Sequence, residues 1–107
     1  MSDAFHDREN TFEKQFANDE TLRFRAAARR NKALALWIAE LKGVSGEAAA
    51  KYAEDFVGAQ IGKSDDDVAA ALKDDLARAG VDLSDYRLRK KMGEEMAAAL
   101  VSVKAGK

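Results

Sequence analysis

The stretch GAQIGKS, Gly58 to Ser64, holds the glycines, lysine and serine of a phosphate-binding loop and is the most direct invitation to chemistry in this 107-residue chain. A loop of that kind leaves four residues between its two glycines and follows a strand, because its amides must wrap a phosphate at the mouth of a helix. Here Val57 stands where the first glycine belongs and a helical pattern precedes it, so the segment reads as a helix end, a hinge and the next cap. His6 is the single histidine and there is no cysteine, which leaves no second soft ligand for a transition metal and no thiol nucleophile. Asp65, Asp66 and Asp67 directly follow Ser64. Without the glycine and closing Glu of a calcium loop, they read as a helix start. No nucleophile stands beside a base, so the sequence reads as that of a protein that is not an enzyme.

The run RFRAAARRNK, Arg23 to Lys32, contains five basic residues and no acidic one. On a helix these cations do not share a face. Arg25, Arg29 and Lys32 point outward, whereas Arg23, Arg30 and Trp37, spaced seven apart, fall on or near the apolar stripe. Arg23 and Arg30 are therefore expected to lay their stems over the core and to pair with carboxylates from another helix. A nucleic-acid surface is not indicated, because no aromatic residue joins a concentrated basic face and the net charge of the chain is -1.

These residues must be positioned by helices. The chain has no proline and is rich in Ala, Leu, Glu, Lys and Arg, which lose little on entering a helix. The spacing of Leu22, Ala26, Ala33, Leu34, Trp37, Ile38 and Leu41 predicts a first helix from about Asp19 to Lys42, stopped by Gly43. Ser45 caps a second with Tyr52, Ala53, Phe56 and Val57 on one side, loosened at its end by Gly58 and Gly62. Ser64 starts a third with Val68, Leu72 and Leu76 inward, ended by Gly80; Asp82 or Ser84 starts a fourth with Leu88, Met92, Met96, Ala99, Leu100 and Val103 as its stripe. The fold class is all-α: a four-helix bundle-like domain over residues 19–107, preceded by a mobile segment, residues 1–18. No apolar run is long enough to span a bilayer and the first residues are polar and acidic, so a cytoplasmic location without direct membrane insertion is expected.

Residues 1–18 follow a different logic. At about 100° per residue, Phe5, Phe12 and Phe16 lie within about 40° of one another, with Asp7, Asn10 and Lys14 opposite. Between Phe5 and Phe12 that face carries Arg8 and Glu9, where a core helix would need apolar side chains. Such a stripe suits a partner's groove with polar groups in it, and an isolated helix of this length is marginal in water, so folding on binding is expected. The stripe is also nearly in phase with Ala26, Leu34, Trp37 and Leu41.

Phe5 with Asp7, Arg8 and Glu9; Glu13 with Phe16 and Ala17; Leu22 and Phe24; Ala28 to Lys32; Trp37, Tyr52, the Asp67–Val68 and Asp75–Leu76 pairs and LRKKM at Leu88 to Met92 together resemble the zeta subunit family, the inhibitor proteins of the alphaproteobacterial F-type ATP synthase. The resemblance spans nearly the whole chain. It implies four helices and a mobile N-terminal segment that becomes helical on wedging into a catalytic interface of alpha and beta near the gamma stalk, blocking ATP hydrolysis while sparing synthesis. The contact residues it carries over are Phe5, Arg8, Glu9, Phe12, Glu13 and Phe16. It further implies a protein that is monomeric when free and associates with the inner membrane only through the synthase. The chain departs from the family between the second and third helices, where GAQIGKS replaces an acidic, often proline-containing stretch. Some members resemble weak adenine-nucleotide binders, and no residue pattern here locates an ADP or ATP site or any other cofactor. The alternative to an inhibitor is a small-ligand binding helical module without strong inhibitory activity, with its site among the helices.

Overall fold

The computed structural model describes residues 20–106. Four helices follow one another: α1 Glu20–Leu41, α2 Gly46–Ala59, α3 Asp65–Arg78 and α4 Asp85–Lys104. Their ends match the expected chemistry closely. Gly43 adopts φ +79°, a left-handed conformation in which its amide donates to the Glu40 carbonyl while the Val44 amide reaches back to Ala39 at 2.8 Å. Two orphan carbonyls of α1 are thereby satisfied. Gly80 repeats the arrangement after α3, and Val81, whose amide donates to Leu76, folds back onto the core.

The starts are set by hydroxyls. Ser64 Oγ accepts from the Asp67 amide and Ser84 Oγ from the Arg87 amide, each at 3.1 Å, so Ser84 rather than Asp82 begins the last helix. Ser45 holds the cap position of α2 without a side-chain hydrogen bond. Gly58 does not loosen α2 but lies within it; the chain turns at Gly62, where φ is +77°.

The long helix α1 is the organising element, packed chiefly against α2 and α4. One core cluster joins all four helices: Leu34, Ala35 and Ile38 of α1 meet Phe56 of α2, Leu72 of α3 and Leu88 of α4, among others. A smaller cluster ties the start of α1 to the end of α4 through Ala26, Ala99 and Val103, with Leu22, Met96 and Leu100 against it. The order of these contacts makes α1 and α4 antiparallel. Among the described residues no helix is long and apolar enough to cross a membrane.

Three expectations need correction. Arg23 is exposed and has no carboxylate partner among the described residues: it lies on the same side of α1 as Arg30 but two turns nearer the helix start, away from the beginning of α3 that brings Asp65 to Arg30. Leu41 is exposed, since the chain turns away at Lys42 before a neighbour can cover it. Trp37 is half-buried: it packs against the core on one side, and Lys91 Nζ lies 5.4 Å from the centre of its ring. The lysine stem and charge cover an aromatic surface that another helix would otherwise have to bury.

Candidate functional site

The first half of α1 has two unlike sides. One is sealed by the small cluster against α4. The other faces α2 and the α2–α3 connection across a hollow of about 310 Å³, whose wall includes Phe24, Ala28, Val57, Ile61 and Lys63. Phe24 remains 55% exposed and Ile61 61% exposed, a large apolar surface to leave in water on so small a domain. A second hollow of about 410 Å³ continues past Val57 between α1 and α2, bounded by Lys32, Leu36, Ala50 and Ala53. Residues 50, 53, 54, 57, 60 and 61 follow helical spacing, so one line of α2, extended just past its end, forms a wall common to both.

The cations that sequence spacing singled out divide sharply. Arg30, only 3% exposed, donates from Nη1 to Asp65 Oδ1 at 2.6 Å and from Nε to Asn31 Oδ1 at 3.1 Å. Arg89 of α4 takes the neighbouring Asp66 at 2.7 Å. The start of α3 is thus clasped from α1 and from α4 by two charge-assisted bonds. Asp65 and Asp66 complement the helix dipole as expected and in addition dock the helix. The Asp66 bond raises the Arg89 pKa, so its charge is held. Both arginines line a cleft walled mainly by α4, with Met92, Met96 and Leu100 among its residues, and each directs a guanidinium donor at an aspartate of α3.

A third polar tie joins α2 to α3. Tyr52 donates its hydroxyl to Asp75 Oδ2 at 2.6 Å. Burial, the hydrogen bond to Asp75 and the carboxylate's charge together push the tyrosine pKa well above its ordinary value, so the hydroxyl keeps its proton. Lys42 Nζ sits 4.2 Å from the centre of the same ring. By contrast, Arg23, Lys32 and Lys63, which line the α1–α2 hollows, have no ion pair among the described residues. Arg25 is exposed, and Arg29 is exposed with its guanidinium bonded to Ser102 Oγ.

GAQIGKS proves to be the end of α2, a turn and the next cap, in which Lys63 donates its amide to the Gln60 carbonyl and Ser64 Oγ accepts from the Asp67 amide. Among the described residues no cluster of three or more His, Asp or Glu side chains is arranged to hold a metal ion. Phe5, Arg8, Glu9, Phe12, Glu13 and Phe16, the expected contact set, lie outside the described residues, as does His6. Sequence reading missed the exposed pair Phe24 and Ile61. The signal for Phe24 was present: two residues from both Leu22 and Ala26, it falls on the opposite side of the helix from their stripe. Nothing in the sequence placed Ile61 beside it.

A family model described as ATPase inhibitor subunit zeta matches residues 1–101 of the chain. No curated protein matches it.

Proposed function

The chain belongs to the ATPase inhibitor subunit zeta family, and from that premise we propose that it stops ATP hydrolysis by inserting residues 1–18, as a helix, at a catalytic interface of alpha and beta near gamma in the F-type ATP synthase. The family is one of inhibitor proteins, not enzymes, and membership implies association with the synthase. The observation that carries the finer reading is the division of apolar residues along the chain. From Ala26 to Val103 the large apolar stripe residues mostly pack inside four helices, whereas Phe5, Phe12 and Phe16 form a stripe of their own within the stretch the family match includes. Aromatic side chains at helical spacing are the usual anchors of a helix that enters a groove. Arg8, Glu9 and Glu13 would meet polar groups of the synthase beside them.

Deletion of residues 1–18 is expected to abolish inhibition of ATP hydrolysis by the matching synthase head. Circular dichroism should show that the remaining helices persist and still unfold cooperatively. Replacing Phe5, Phe12 and Phe16 together by Ala should mimic the deletion, while changing Asp7, Asn10 and Lys14 on the opposite face should matter less. Full inhibition by the truncated protein would move the active surface onto the four helices and overturn the proposal.

A further inference from the structure

We propose that the groove between α1 and α2 is a second contact with the synthase, a seat for an amphipathic helix whose apolar side is flanked by carboxylates. This rests on reading the chain as an inhibitor anchored by residues 1–18, and it adds a docking surface on the four helices. The shape of the groove follows from helical spacing. Glu20, Phe24, Ala28, Lys32 and Leu36, four apart on α1, make one wall, and the α2 line through Ala53, Val57 and Ile61 makes the other. Along α1 these residues span about 24 Å at the helical rise, enough to seat a helix of about four turns. The small side chains of Ala28, Ala50 and Ala53 let another helix come close, while Phe24, Leu36 and Ile61 stand exposed to hold its apolar side.

Two observations select this occupant. The first is charge. The groove presents Arg23, Lys32 and Lys63 without ion pairs among the described residues, against Glu20 and Glu54 on its walls, so its surplus is positive on a chain whose net charge is -1. Carboxylates beside the apolar side of an incoming helix would find these cations free. The second is covalent continuity. Four residue steps join Phe16 to Glu20, and a fully extended chain covers at most about 14 Å over that number of steps. A synthase that grips Phe16 therefore comes within about 14 Å of Glu20, at the rim of the groove, whatever the conformation of the residues between. A second copy of this chain has no such tether to the groove.

The chain has no cysteine, so Ile61→Cys in the full chain gives a single attachment point for a photoreactive benzophenone. Illuminated with the matching synthase head, this label should be captured by an alpha, beta or gamma subunit, at a helix with acidic residues beside its apolar side. The same label at Tyr86→Cys, at the start of α4, should capture little. Phe24→Asp with Ile61→Asp should raise the concentration for half-maximal inhibition about 30-fold, the effect of losing one strong anchor. Both positions are exposed, and circular dichroism should show the helices intact. Arg23→Glu with Lys63→Glu should raise that concentration too, by a factor that shrinks as salt is added. Unchanged half-inhibition in both variants, no capture at position 61, or equal capture at position 86 would overturn the groove contact. Capture at a synthase surface without acidic residues, or of another copy of this chain, would overturn it as well. The inhibitory reading is tested apart from this: if Phe5, Phe12 and Phe16 could all become Ala without loss of inhibition, the stripe would lose its role while capture at position 61 still stood.

Discussion

Between Leu34 and Ala39, α1 buries Leu34, Ala35, Ile38 and Ala39 completely, whereas between Glu20 and Ala28 only Ala26 is buried and Phe24 keeps 55% exposure. Both stretches belong to one uninterrupted helix, but residues 34–39, LALWIA, are all apolar, whereas residues 20–28, ETLRFRAAA, carry Glu20, Arg23 and Arg25. The neighbours differ as well: the later half lies where α2, α3 and α4 all converge, and the earlier half is sealed mainly by α4. Stability is therefore concentrated at one end of α1 and exposed apolar surface at the other. The exposed end is the one adjoining residues 1–19.

Leu34→Ala should produce the largest effect on the fold, about 3–4 kcal/mol of a domain stability that is typically about 5–15 kcal/mol, because the void opens where four helices meet. Phe24→Ala should change stability by no more than about 0.5 kcal/mol. Urea unfolding of the two variants tests the contrast, and equal losses would break it.

Arg30 stands between the two halves and should give the next effect. Arg30→Ala removes a buried stem and frees the start of α3, at an expected loss of about 2–3 kcal/mol. Arg30→Met keeps most of the stem and should lose only about 1 kcal/mol, the net worth of the bonds to Asp65 and Asn31. If the two variants unfolded alike, packing by the stem would not be what Arg30 contributes.

The smallest effect is expected at Tyr52→Phe, about 1 kcal/mol at neutral pH for the hydroxyl bond to Asp75. Its pH dependence has a definite sign. The folded state raises the Tyr52 pKa, so above the ordinary tyrosine value of about 10 the unfolded chain loses a proton that the folded chain retains. This contribution is complete below about pH 10 and declines as pH rises above it. Unfolding at alkaline pH should therefore show a steeper loss of stability in the parent than in Tyr52→Phe, and parallel profiles would mean that the Tyr52–Asp75 tie is not felt by the fold.

Helix number, helix order and most of the core were legible from residues alone, for a local reason. Propensity, the hydroxyl caps at Ser64 and Ser84 and the glycine stops at Gly43 and Gly80 act within a few residues of one another, and period 3.6 marks the inward face of each helix. The aromatic stripe at Phe5, Phe12 and Phe16 is local information of the same kind. How a side chain on that inward face is treated depends on what arrives opposite. Arg23 and Arg30 share a sequence spacing, yet only Arg30 meets Asp65, which lies 35 positions away. Trp37 is half-covered because Lys91 of α4 reaches its ring, and Phe24 becomes part of a groove because the turn at Gly62 sets Ile61 beside it. These pairings join residues far apart in the chain, and no local periodicity encodes the distance between two helices or the rotation of one against another.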